Sequence, residues 1–127
     1  MSGKSLLPLA VCIAAFAASS APAGASIQGG CPKKLEPLGA NAIGPAAAAA
    51  LRADPAKNQP QVTGATLASQ DGGRGPQAKA QCGKTVWQRT VVVYVLDRAF
   101  LPAESAAQRV LFVGRTSDGY RVWARAH

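Results

Sequence analysis

TVWQRTVVVYVL, residues Thr85 to Leu96, is a run dense in β-branched and aromatic side chains, the residues that fill a pleated strand surface. Within it, Val91 to Val95 is apolar on both alternating faces. A strand without a polar face is covered on both sides, which places it centrally in its sheet. Working outward, a second strand is expected from about Ala107 to Thr116 and a third from Tyr120 to Ala126. Between these two, Ser117-Asp118-Gly119 suits a three-residue hairpin loop with Gly119 in the left-handed position. That loop opposes Thr116 to Tyr120. One face then carries Val110, Phe112, Tyr120, Val122, Ala124 and Ala126. The other carries Arg109, Arg115, Arg121, Arg125 and His127, with Leu111, Val113 and Trp123 among them. A two-residue turn would shift the pairing by one and mix these sets.

Upstream of the strands, Gly44 suits a helix N-cap and Pro45 the first helical position, where a missing N–H is harmless. Ala46 to Ala53 are good helix formers, and Pro55 forces a stop near Asp54. A helix this short does not stand alone in water, but its alanine surface packs closely on a sheet. Gln61 to Ser69 predicts a strand weakened by Gly64. Asp71 to Pro76 is a loop by composition, and Pro76 to Cys82, closed by Gly83, predicts one or two helical turns. Residues 97 to 106, with Phe100-Leu101-Pro102, form a wide connection. The fold class is α+β: a short N-terminal helix on an antiparallel sheet of three to four strands, ending in a C-terminal β-meander. One small domain spans residues 45–127, preceded by an irregular segment, 26–44, held mainly by Cys31.

The first 25 residues read as a secretory signal peptide. Lys4 is the positive start, Leu6 to Ala18 the apolar run, and Ala23-Gly24-Ala25 the small-residue cleavage site. The run is too short to span a bilayer, which takes about 20 apolar residues. Cleavage after Ala25 removes Cys12, whose preceding Val11 is too bulky for a lipidation signal. Cys31 and Cys82 remain and are expected to pair in an oxidising compartment, secreted or periplasmic and cell-envelope. Closing the ring from 31 to 82 is worth roughly 4 kcal/mol on the loop-entropy model.

Of 14 Lys and Arg only Lys4 leaves with the leader, while all 6 acids stay, so the remainder carries +7. Such a balance points to an acidic partner: an acidic cell-envelope polymer, an anionic lipid surface or an acidic protein. Export makes nucleic acid the less natural target. For catalysis, the sequence offers little. His127 is the only histidine and closes the sequence, whereas a catalytic base must be held in place. The six acids form no paired motif, and the cysteines form no C-x-x-C pair or zinc set. Gly72-Gly73-Arg74-Gly75 lacks the spacing of a phosphate-binding loop. No catalytic residue, metal or cofactor is expected.

The candidate binding residues are Arg109, Arg115, Arg121, Trp123 and Arg125. Guanidinium groups around an indole hold a phosphate or carboxylate while a ring stacks on the aromatic. The plainer alternatives are a solvated face whose arginine stems cover Trp123, or a concave sheet face with Trp123 in the core. The expected function is a secreted, non-catalytic binding module for an acidic partner. The alternative is a pocket protein or small enzyme, with Trp87, Trp123 or Tyr94 lining a cavity beside an acid.

Helix-then-sheet order over residues 45 to 126 resembles cystatin-like and NTF2-like domains in topology alone. The Q-x-V-x-G loop of cystatin inhibitors is absent; Gln61-Val62-Thr63-Gly64 echoes it in part. The stretch CGKTVWQRTVVVYV, Cys82 to Val95, followed by QRVLFVGR, resembles small secreted proteins of high-GC bacteria that carry no known function. Topology of this kind implies nothing specific about activity.

Overall fold

The computed structural model describes residues 29–54, 60–97 and 108–126. The expected leader with Cys12 and its cleavage site, the Phe100-Leu101-Pro102 connection and His127 lie outside the described residues. Helix α1 (Ile43–Ala53) is followed by β1 (Gln61–Leu67), a 3-10 turn (Ala68–Gln70), α2 (Gly75–Cys82) and α3 (Lys84–Gln88). Strands β2 (Thr90–Leu96), β3 (Gln108–Thr116) and β4 (Gly119–Ala126) complete the order. The four strands form one antiparallel sheet in the order β1-β2-β3-β4, so the α+β class and the closing meander are as expected.

Strand β2 lies inside the sheet, and both its faces are covered, as its unbroken apolar run requires. Val91, Val93 and Val95 join Leu111 and Val113 beneath α1, which presents Ala46, Ala49 and Ala50 to them. Those alanines recur at one helix face, and their small side chains let the helix sit close to the sheet. Val92, Val110 and Phe112 face the other way, packed with Ala68, Ala78, Trp87 and Trp123. The helix begins slightly earlier than expected, with Ala42 as N-cap. Pro45 still falls in the first turn, where backbone N–H groups have no helical partner. At the other end Asp54 is extended and donates its N–H to the Ala50 carbonyl at 3.0 Å.

Two sequence expectations need correction. Thr85 to Gln88 is helical, not the start of the strand. Gly83, at φ +93, turns the chain there, and Thr90 Oγ1 donates to the Val86 carbonyl at 2.6 Å. Extended backbone would have put Trp87 on the same face as Val91, beneath α1. The extra turn delivers it to the opposite core, where Lys79 Nζ stands 4.6 Å from the ring centroid. Tertiary packing overrides β propensity here.

The last hairpin turns on two residues, Ser117-Asp118, with Thr116 paired to Gly119. Thr116 Oγ1 donates to the Gly119 carbonyl at 2.8 Å and accepts from Asp118 N at 3.2 Å. Gly119 takes φ +111, a conformation that glycine adopts without strain. The register shifts between Phe112 and Val113, after which Phe112–Ala124, Leu111–Arg125 and Val110–Ala126 pair as expected. Trp123 is the residue the bulge leaves over. Between turn and bulge the faces are therefore exchanged: Tyr120 and Val122 join the core beneath α1, and Arg121 points the other way.

The N-terminal segment is held by more than Cys31. Glu36 N donates to the Arg115 carbonyl at 2.7 Å, and Arg89 Nη1 to the Leu35 carbonyl at 2.6 Å. Leu35 lies over Gly114, where an added Cβ would stand 2.5 Å from Leu35 Cδ2. The Cys31–Cys82 disulfide (S–S 2.06 Å, Cα–Cα 5.4 Å) ties the same segment to the end of α2.

Candidate functional site

An open groove of about 440 Å³ runs between α1 and β4. Helix α1 contributes Ala49, Arg52 and Ala53; the hairpin contributes Asp118, Tyr120, Arg121, Val122 and Arg125. Arg52 is in the last helical turn, and Arg125 Nη2 donates to the Ala53 carbonyl at 3.1 Å. Cations at that end complement the partial negative charge of the helix C-terminus. Arg121 and Asp118 approach to 3.9 Å with side chains 65% and 74% exposed, a contact that water largely screens. Arg52, Arg121 and Arg125 thus border a groove in which Asp118 is the single carboxylate among the described lining residues.

The five residues expected to share one face do not do so. Arg115 and Arg125 lie on the α1 side of the sheet, and Arg121 and Trp123 on the other. The bulge at Trp123 is the physical reason, because one extra residue exchanges the faces of everything between it and the turn. Trp123 is half-buried core: its ring centroid is 5.5 Å from that of Phe112, and Nε1 donates to Thr90 Oγ1 at 3.3 Å. Arg109 is engaged in the structure, with Nη1 3.2 Å from Asp54 Oδ1 and 3.1 Å from Asp97 Oδ2. Arg115 Nη1 donates to the Pro37 carbonyl at 3.3 Å. Of the five, Arg125 reaches the groove from the α1 side, Arg121 borders it from the edge strand β4, and Arg52 joins them unforeseen. A cation in the last turn of an otherwise alanine-rich helix was the available signal for Arg52.

On the opposite sheet face, Tyr94 donates its hydroxyl to Asp71 Oδ2 at 2.6 Å, and Gly73 N donates to Asp71 Oδ1 at 2.8 Å. The phenol is pushed up from 10.0 to about 12, first by burial and then by its bond to the Asp71 carboxylate. The glycine-rich stretch beside it forms a compact turn, closed by the Asp71 side chain, that leads into α2. A second cleft, of about 520 Å³, opens between Tyr94, Arg74, Thr63 and the paired ends of β2 and β3. Tyr94 lines this cleft, while its acid partner Asp71 lies outside the lining.

Among the described residues, no group of three or more His, Cys, Asp or Glu side chains is placed to hold a metal ion, and no helix is long and apolar enough to cross a membrane. Compared with protein-family models, with curated proteins and with solved structures, the chain matches none.

Proposed function

We propose that the protein is an exported, non-catalytic binding module that engages an acidic cell-envelope polymer through the groove between α1 and β4. The observation that carries this reading is an open groove bordered by Arg52, Arg121 and Arg125, with a single carboxylate among its described lining residues. The excess of 13 basic over 6 acidic residues left once the leader with Lys4 is removed adds a long-range attraction for the same partner. Concave shape favours a chain over a lipid surface. Ile43 and Leu51 are the exposed large apolar side chains among the described residues, each at 37%, and neither borders the groove to anchor it in a bilayer. Export rests on the sequence of residues 1 to 25 and is compatible with the disulfide.

Binding to polyglutamate and to anionic vesicles, measured against salt, tests the reading. Affinity for the polymer is expected to fall steeply as salt shortens the screening length to about 8 Å at physiological ionic strength. The triple variant Arg52→Gln, Arg121→Gln, Arg125→Gln is expected to lose that binding and keep its fold. Equal polymer affinity for parent and variant sinks the proposal, and so does a preference for vesicles over polymer.

A further inference from the structure

We propose that the pole of the molecule around the Cys31–Cys82 disulfide is a second interaction surface, which docks a linear phosphate polymer. Lys33, Lys34, Lys79 and Lys84 are the lysines of the described residues, and all four are exposed. In sequence they form two distant pairs. The disulfide joins those pairs, with its Cα atoms 5.4 Å apart. Lys33 and Lys34 follow Cys31 after Pro32. Lys79 lies one helical turn before Cys82, and Lys84 opens α3 just beyond it. Arg89, held by its bond to the Leu35 carbonyl at 2.6 Å, borders the same cleft as Lys34.

None of the four ammonium groups has an ion-pair partner among the described residues. Two carboxylates stand close by. Glu36 borders the cleft of Lys34 and Arg89, and Asp71 borders that of Lys79. Asp71 already accepts the Tyr94 hydroxyl and the Gly73 N–H. Glu104, the one acid outside the described residues, falls in the stretch joining Leu96 to Gln108. Those strand ends are six residue steps, about 20 Å, from Thr90 and Gly114 at this pole. The pole is therefore basic on balance.

The kind of cation selects the partner. A lysine ammonium is a compact point charge with rotatable donors on a flexible stem, whereas arginine presents a planar fork. Such ammonium groups follow charge density rather than planar geometry, which suits the tetrahedral oxygens of phosphate. A single exposed ion pair in water is worth little, so appreciable affinity needs one ligand that meets several lysines at once. That requirement favours a polymer over a free anion. Lys34 and Lys79 border two separate clefts of about 370 Å³ each, a relief that suits a chain better than a flat bilayer. The exposed large apolar side chains, Ile43 and Leu51, stand on α1 and anchor nothing here. Lys79 Nζ already covers the Trp87 ring at 4.6 Å, which takes the stacking platform away from a nucleobase.

The test follows binding of inorganic polyphosphate to the disulfide-bonded protein against salt. Polyglutamate, phosphatidylglycerol vesicles, oligothymidylate and monomeric phosphate are the comparison probes. Each lysine contact with a flexible phosphate chain adds about 0.7 to the slope of log affinity on log salt. The pair Lys33→Gln with Lys34→Gln, and the pair Lys79→Gln with Lys84→Gln, are each expected to lower that slope by about 1.4, and all four together by about 3. Polyglutamate affinity is expected to stay within about twofold, because its site is the arginine groove. The four side chains are exposed, so the variants are expected to keep native melting curves. An unchanged polyphosphate slope in the quadruple variant overturns the proposal. So does a loss confined to one pair, which would deny that the disulfide assembles a single surface. Vesicles or oligothymidylate bound more tightly than polyphosphate of equal charge, or monomeric phosphate bound as tightly, overturn it equally. The surface stands apart from the groove between α1 and β4. The same losses are expected in the Arg52, Arg121 and Arg125 triple variant, so failure of either site is read separately from the other.

Discussion

Replacing Arg109 with Leu is expected to cost about 3–5 kcal/mol of stability, the scale for removing one partner of a buried ion pair. The side chains of Asp54 and Asp97 are 0% and 4% exposed, and that of Arg109 is 17% exposed. One guanidinium joins the C-cap of α1, the end of β2 and the start of β3 at 3.2 and 3.1 Å. Asp54 also lies at the end of a helix where a negative charge is disfavoured, so Arg109 offsets an electrostatic cost as well as desolvation. The remaining exposure of Arg109 draws the estimate toward the lower end of its range. Against a total of about 5–15 kcal/mol for a domain, the loss is large. With about 4 °C or more per kcal/mol for a domain near 100 residues, the midpoint of thermal unfolding falls by at least roughly 12 °C. Urea denaturation followed by tryptophan fluorescence measures it, with an expected midpoint drop of about 2 M at unchanged slope. Arg121→Gln, at an exposed site, is the control and is expected to stay within about 0.5 kcal/mol. Adding Asp54→Asn and Asp97→Asn to the Arg109 variant is expected to recover part of the loss, because no uncompensated charge then remains buried. A loss below about 1 kcal/mol for Arg109→Leu would refute the reasoning and return Arg109 to the surface charges.

Reducing Cys31–Cys82 is expected to destabilise the fold by roughly 4 kcal/mol, read from urea midpoints with and without reductant; an unchanged midpoint contradicts this. Gly114→Ala forces Leu35 aside and is expected to lose about 1–3 kcal/mol in thermal melts, with Leu35→Ala restoring part of it in the double variant. Tyr94 holds its proton more tightly folded than unfolded, so its contribution is present below pH 10 and fades as pH rises toward about 12. At a half-buried phenol that contribution is screened to roughly 1 kcal/mol, and Tyr94→Phe is expected to flatten this alkaline loss in a stability profile.

Element type was legible in the sequence wherever local chemistry and packing agree. The valine run of β2, the alanine face of α1, the proline and glycine that bracket α2, and the cysteine pair all signalled themselves. What escaped depended on contacts between distant segments. Thr85 to Gln88 has strand composition, yet the core beside Ala78 and Phe112 draws Trp87 into a helical turn. The alternating pattern of β4 conceals a bulge, since a single extra residue at Trp123 leaves composition unchanged and exchanges two faces. That bulge accounts for most of the error in the candidate site. Spacing alone put Arg121, Trp123 and Arg125 together, whereas the structure sends Trp123 inward and lets Arg52 take its place beside the arginines. Arg109 read as surface charge because neither Asp54 nor Asp97 is near it in sequence.

The groove between α1 and β4 is tested most directly by mapping where an acidic polymer touches the protein. Polyglutamate titrated into the 15N-labelled chain at low salt is predicted to move the amides of Ala49, Arg52, Ala53, Tyr120, Val122 and Arg125 together, and to release them as salt is raised. Shifts confined to β1 and β2, or scattered over every exposed lysine and arginine without focus on the groove, would contradict it.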